Sequence, residues 1–405
     1  MSEAVKVAQQ LADEFRSRAA EYDRTGEFPA PNYARMREAG YLAAPVPIEL
    51  GGFGAGLADM ARAQQALARG CAATALAVNM HLFQVGTTAD AWRNKAPVEP
   101  LLRRIVQEGA VIASNGAEAI VAGDWTTETT AERQDGEYVV NGRKFFCSQA
   151  PGMDILRFLA RDTETDELLI IGASASARGM KIVETWDTTG MRATASHDIV
   201  IEDLRVPDAA VGARLPAGAP TRTPAIANVG RWFLVLAASV YLGVAEEARA
   251  EAYKAIGTGI NSASRHDVLT NMLIGQMEAE FLTAQSVRDQ AARELDSPPS
   301  DPQAGLALAI LCKETVTSHA IATVEKAVEL AGGRAYFRKS PLERLARDVR
   351  AAKFHPPSAP VSFQMAGERF RERAAAKAPV AAITTERRYA DVQGGRGSGK
   401  ELRNG

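Results

Sequence analysis

Apolar positions along the first part of the chain recur at helical spacing. Val7, Leu11, Phe15 and Ala19 share one face, which predicts a helix from Val5 to about Tyr22. A short helix follows over Tyr33–Glu38, stopped by Gly40. The stretch from Ala44 to Gly56 is too dense in proline and glycine to be helical and reads as a loop. It lacks the Lys-Ser/Thr ending and flanking strand of a phosphate loop. Helix resumes over Asp59–Arg69. An apolar run from Ala72 to Val78 then leads into Asn79-Met80-His81, and a further helix over Leu101–Glu108 ends at Gly109.

From Val111 to about Val206 the period changes. Short apolar runs over Glu137–Ser148, Asp154–Ala160, Leu168–Gly172 and His197–Ile201 are separated by turn residues at Asp135-Gly136, Asn141-Gly142, 163–166 and Thr189-Gly190. Short strands with frequent turns and no intervening helix predict an antiparallel barrel or sandwich. Asn141-Gly142 favours a tight hairpin, because both residues tolerate positive φ.

Beyond Pro224 long apolar stripes return, over Gly230–Lys254, His266–Glu294, Pro302–Leu330 and Leu342–Phe354, as in a helical bundle. From about Lys377 the chain turns polar and Gly/Arg-rich, so a disordered tail is expected. The reading is an α+β protein: a helical domain over 1–112, a β-domain over 113–215, a helical bundle over 216–378 and a tail over 379–405.

Composition changes this picture little. The 405 residues carry a net charge of −2 and are 46% hydrophobic, an ordinary globular balance. No basic field or groove element argues for nucleic acid. Three scattered cysteines form neither a disulfide framework nor a zinc set and suit a reducing compartment. The first residues show no signal-peptide core, and no uninterrupted apolar run reaches the roughly 18 residues that span a bilayer. A cytoplasmic protein without a membrane partner is expected.

Candidate chemistry centres on Asn141-Gly-Arg-Lys-Phe-Phe-Cys-Ser-Gln149. Ser148 stands where a strand ends beside the Pro151-Gly152 loop, a place from which a hydroxyl can touch a cofactor held on a rigid sheet. The plainer reading is a strand-end serine bonding its own backbone. His81, after an apolar run, reads equally as a satisfied helix-end histidine. Trp125 and Trp186 read as core packing aromatics or as aromatics beside a cofactor.

Several segments together resemble the acyl-CoA dehydrogenase superfamily, in order and over roughly residues 10 to 370. They are Pro47-Ile-Glu-Leu-Gly-Gly-Phe-Gly54, Gly136-Glu-Tyr-Val-Val-Asn-Gly-Arg-Lys144, Thr189-Gly-Met-Arg192 with Val206-Pro207, Gly230-Arg231, and Leu330-Ala-Gly-Gly333 with Pro341-Leu-Glu-Arg344 and Arg347-Asp348. The resemblance implies N-terminal helices, a central antiparallel β-barrel and a C-terminal four-helix bundle. It also implies a flavin, FAD or FMN, in contact with Ser114, Gly116, Phe146, Ser148, Gly332 and Gly333. The family assembly is a homotetramer, a dimer of dimers.

The chain departs from the dehydrogenase pattern at its base. One family position for the catalytic Glu reads Phe354-His-Pro-Pro-Ser358 here, and the other is Gly230. The Arg/Phe pair that grips the pyrophosphate of FAD is absent from 256–262, which makes FMN credible. One branch of the superfamily lacks that Glu: two-component flavin monooxygenases, which take reduced flavin from a separate reductase and form a C4a-hydroperoxide. Their pattern resembles His81, Ser148 and His355 here and implies catalytic roles for these three on a small-molecule substrate. The alternatives are an FAD-dependent acyl-CoA dehydrogenase with an unusual base, such as His355 or Glu118, and a flavin-binding subunit without catalysis of its own.

Overall fold

A computed structural model describes residues 1–115, 127–217, 222–257 and 268–377. Gly116, Glu118, Trp125, His266 and the tail lie outside these residues.

The N-terminal helices are α1 (Glu3–Arg16), α2 (Ala19–Thr25), α3 (Ala30–Glu38), α4 (Leu57–Gly70), α5 (Ala72–Arg93) and α6 (Glu99–Glu108). The stripe Val7, Leu11, Phe15 is buried and packs α1 on α4. The helices meet so closely that a Cβ on Gly70 would lie 2.2 Å from the Ala12 carbonyl oxygen. α5 runs on through His81 to Arg93. It is buried on nearly every side, which removes the polar face that would have marked its full length in the sequence.

The central domain is an eight-stranded sheet: β1 (Ile112–Asn115), β2 (Thr130–Gln134), β3 (Glu137–Cys147), β4 (Ile155–Asp162), β5 (Leu168–Ser174), β6 (Met180–Val183), β7 (His197–Pro207) and β8 (Val211–Leu215). Their order is β6-β7-β3-β2-β4-β5-β8, with β1 beside β4. Pairing is antiparallel except that β1 and β2 both run parallel to β4, so the sheet is mixed where the sequence led us to expect an antiparallel one. The tight hairpin is at Asp135-Gly136, both left-handed, with Gln134 facing Glu137. Asn141-Gly142, expected to turn, instead lies inside β3 at a register shift against β7. There Asn141 Oδ1 accepts the Asp203 amide at 2.8 Å, and Gly142 sits where a Cβ would meet Thr129 Oγ1 at 2.3 Å.

The C-terminal helices are α7 (Pro224–Gly257), α8 (Val268–Glu294), α9 (Pro302–Ala331), α10 (Pro341–Asp348) and α11 (Ala359–Lys377). α7 is long and apolar enough to cross a membrane, but 72% of its apolar window is buried, as in the core helix of a bundle. α5 locks onto α7: Asp90 accepts from Trp232 Nε1 at 2.7 Å and pairs with Arg231, while Phe83 meets Phe233 edge-on. The helical domains and the sheet thus share one helix, α5, which also reaches β1.

Candidate active site

Ser148 follows the last residue of β3, and a set of buried bonds fixes its place. The next residue, Gln149, is left-handed at φ 60°. Its amide donates to the Thr194 carbonyl at 2.8 Å, its Nε2 to the Ile112 carbonyl at 2.9 Å, and its Oε1 accepts from Tyr33 Oη at 2.6 Å. One glutamine thereby pins the end of β3 to α3, to β1 and to the turn before β7.

That turn brings two hydroxyls under Ser148. Met191 and Ala195 are left-handed, at φ 52° and 45°, and bracket the tight turn Arg192–Thr194. Ser148 Oγ lies 2.9 Å from Ser196 Oγ, which lies 2.8 Å from Thr194 Oγ1. Thr194 Oγ1 donates to the Met191 carbonyl at 2.9 Å. Ser148 is half-buried, whereas Ser196 and Thr194 are buried. The plainer reading of Ser148 is therefore not the observed one: its hydroxyl partner is another side chain.

Aromatic surface flanks this line. Phe146, left-handed at φ 58° and 63% exposed, presents its edge to Trp186 with ring centroids 5.9 Å apart. Trp186 Nε1 donates to the same Met191 carbonyl at 3.2 Å. His197 Nδ1 accepts the Thr185 and Trp186 amides, each at 3.2 Å, so a histidine without an expected role positions this indole. The Met191 amide donates to Asp348 Oδ1 at 2.6 Å. Burial pushes the Asp348 carboxyl up to about 6 despite that bond.

Ser114, on β1, is a step further along the sheet. It accepts from Gln84 Nε2 at 2.8 Å, and Arg157, opposite it on β4, donates to Gln84 Oε1 at 2.9 Å. Burial holds the Arg157 guanidinium below its ordinary range, and its bonds go to the neutral Gln84 and Thr88.

His81 is not part of this surface. Its Nε2 bonds the Leu42 carbonyl at 2.8 Å and its Nδ1 accepts the Ile112 amide at 3.0 Å. A carbonyl can only accept, so Nε2 carries the proton. Both nitrogens are spent, and burial lowers the pKa to about 4. This corrects the catalytic role expected for His81: the ring is a bolt joining α5, the 41–44 turn and β1.

His355 stands in a second cluster, on the helical side. It follows the Val349–Phe354 turn after α10 and is half-buried. Tyr241 Oη lies 2.5 Å from His355 Nε2. Burial raises the phenol well above its ordinary range and, with the Lys313 ammonium, lowers His355 to about 4. Tyr241 is fully buried and its hydroxyl has no other acceptor among the described residues, so the phenol donates to Nε2 and the His355 proton sits on Nδ1. Phe233 meets the imidazole edge-on, with centroids 6.3 Å apart. Lys313 Nζ donates to the Pro357 carbonyl at 2.7 Å and the His355 carbonyl at 3.3 Å, and so holds the loop. No bond joins His355 to Ser148; α5 links the two clusters, Phe83 packing toward Phe233 and Gln84 bonding Ser114.

Gly332 and Gly333 are exposed at the end of α9, and nothing lies within 4 Å of a Cβ built on either. Tyr241, Lys313, Thr194 and Ser196 were missed in the sequence. Only the Thr-x-Ser spacing hinted that two hydroxyls could share a face.

The domain patterns described as acyl-CoA dehydrogenase N-terminal, middle and C-terminal domain match residues 4–107, 116–204 and 235–358. The chain belongs to the acyl-CoA dehydrogenase family. It is 33% identical to YdbM of Bacillus subtilis (strain 168), provisionally named an acyl-CoA dehydrogenase, over 86% of this chain and 91% of that one. It is 32% identical to the amino sugar nitrososynthase DnmZ of Streptomyces peucetius, over 82% and 84%. The structure of KijD3 in complex with FMN and a dTDP-amino-keto sugar superposes with a TM-score of 0.83 at 28% identity, covering 91% of this chain and 93% of that one.

The family is flavin-dependent, and the residues here fit a flavin. Phe146 and Trp186 offer aromatic surface, and Ser148 offers the outermost hydroxyl of a buried line. A left-handed, largely exposed phenylalanine at a strand end has no folding reason of its own and suits a ring laid against it.

Proposed function

We propose that this protein is a flavin-dependent monooxygenase that takes up reduced flavin, preferentially FMN, and acts on a small-molecule substrate. The observation that carries the reading is the neutral Tyr241–His355 pair at the family's base position. A dehydrogenase must hold a proton taken from carbon. His355 Nε2 is already engaged by the Tyr241 hydroxyl and is not free to take one. Among the described residues no carboxylate bonds His355, Tyr241 or the Ser148 line; Asp348 is bound to the Met191 amide.

Reduced flavin would supply two electrons to dioxygen, one oxygen atom going to the substrate and the other to water. The chain's own groups serve that chemistry. Phe146, Ser148 and Trp186 hold the ring, with Ser114 further along the same sheet. His355 offers an Nδ1–H donor to the reacting oxygen or substrate. The Phe83–Phe233 contact keeps water out of the space beside it. The nitrososynthase relatives support oxygenation, since a nitroso group is an oxidised amine; the FMN in KijD3 and the missing Arg/Phe pair support FMN. A separate reductase supplies the reduced flavin. Exposed Tyr336, Phe337 and Phe354, close in sequence to Gly332-Gly333 and α10, support a homotetramer in which the glycines meet a second copy.

The test is rapid mixing of the chemically reduced, FMN-loaded protein with oxygenated buffer. A transient absorbing species distinct from reduced and oxidised flavin is expected. Reoxidation without one, together with bleaching of oxidised flavin by acyl-CoA under anaerobic conditions, would establish the dehydrogenase that the YdbM likeness favours.

A further inference from the structure

Ser148, Ser196 and Thr194 form a line whose proton directions are decided from its buried end. A carbonyl oxygen has no proton, so Thr194 donates its only hydroxyl proton to Met191. Thr194 can then only accept from Ser196, 2.8 Å away, and Ser196 gives up its single proton there. Ser196 in turn can only accept from Ser148 at 2.9 Å. Each hydroxyl has one proton, and all three are committed inward. What Ser148 presents outward is lone pairs alone.

The far end does not reverse easily. The Met191 carbonyl also accepts from Trp186 Nε1 at 3.2 Å, and its residue's amide is bound to Asp348 at 2.6 Å. Thr194 and Ser196 are 1% and 3% exposed, so water has little access to offer them another partner. Reversing the line would turn the threonine proton to Ser196 and leave Thr194 Oγ1 and the Met191 carbonyl oxygen 2.9 Å apart with no proton between them, lone pair against lone pair.

We propose that Thr194 and Ser196 are positioning residues that make Ser148 an obligate hydrogen-bond acceptor, so that the site selects the reduced, N–H-bearing form of the flavin over the oxidised form. This rests on the reading that a flavin is the occupant, with its N5 edge against Ser148. Reduction of a flavin adds a proton at N5, where the oxidised ring has only a lone pair. A serine restricted to accepting gains a bond with the first and meets lone pair against lone pair with the second. A protein supplied with reduced flavin from elsewhere needs this preference, because oxidised flavin would otherwise compete for the site.

The test compares the dissociation constants of oxidised FMN and dithionite-reduced FMN under anaerobic conditions, read by fluorescence or equilibrium dialysis. Wild-type protein is expected to bind reduced FMN about tenfold or more tightly, the worth of one hydrogen bond gained against one repelled. Thr194→Val keeps the shape but frees the Ser196 proton, and hence that of Ser148, to turn outward. The ratio should fall by roughly tenfold, and Thr194→Ser should restore it. Ser196→Ala, which cuts the line one step later, should give the same fall. In a Ser148→Ala background Thr194→Val should change nothing further.

An unchanged ratio in folded Thr194→Val and Ser196→Ala proteins would overturn the proposal, as would an equal fall in the Ser148→Ala background. Failure of the monooxygenase reading is distinguishable: oxygen mixing would show no transient species while the ratio still responded to Thr194.

Discussion

His81 gives the sharpest separation between a structural and a catalytic reading. Replacing it with leucine keeps most of the buried volume but orphans the Leu42 carbonyl and the Ile112 amide, bonded to the ring at 2.8 and 3.0 Å. Each buried orphan costs about 1–3 kcal/mol, so His81→Leu should lose about 2–6 kcal/mol near neutral pH. The loss must depend on pH. The folded ring titrates near 4 against an ordinary 6.5. Below 6.5 the unfolded chain binds a proton that the folded one refuses, so wild type loses about 1.4 kcal/mol per pH unit until 4. Leucine has no such term. Between about pH 7 and about pH 4.5 the gap between variant and wild type should therefore narrow by about 2.7 kcal/mol, two units' worth. Urea unfolding of both proteins at the two pH values reads this directly. A deficit under about 1 kcal/mol near neutrality, or one equal at both pH values, would refute the bolt assignment. A stable variant that had lost turnover would restore the catalytic role expected from the sequence.

Further expectations follow from the same geometry. His355→Ala should abolish turnover and cost about 1–3 kcal/mol, since the buried Tyr241 hydroxyl loses its partner while the loop stays held through backbone carbonyls; unchanged turnover would remove it from the mechanism. Lys313→Met takes the donor from the His355 carbonyl and leaves the Pro357 carbonyl only Ser362 Oγ, and should cost about 1–3 kcal/mol as well as turnover; a variant that keeps wild-type turnover would show that the loop needs no clamp. Phe146→Ala should weaken FMN binding about tenfold, measured by flavin fluorescence, with little change in melting because the ring is already 63% exposed. Replacing Tyr336 and Phe337 together by serine should lower the oligomeric mass in light scattering if these exposed rings face a second copy; an unchanged mass would place the interface elsewhere.

Much of this was legible along the chain because it depends on local periodicity. The stripe Val7, Leu11, Phe15 marks α1 wherever the helix is docked, and short apolar runs between turn residues mark β3 and β7. The stop at Gly109, left-handed at φ 65°, needs no tertiary information either. The order of helices, sheet and bundle, the strand-end position of Ser148 and the missing Glu at 355 are likewise properties of the string. What the string could not decide is whatever depends on partners distant in sequence. Asn141-Gly142 has the chemistry of a turn, but the cross-strand bond to Asp203 and the nearness of Thr129 make it a bulge within β3. The full length of α5 was hidden because burial on every side erases the polar face by which a helix shows itself. His81 and His355 looked alike as candidates. The fold spends both nitrogens of one on backbone 31 and 39 residues away, and sets the tautomer of the other with a tyrosine 114 residues away. The direction of the Ser148 hydroxyl is decided in the same manner, three bonds distant, by a carbonyl. A proton's place is a property of the network that surrounds it, and only the folded chain assembles that network.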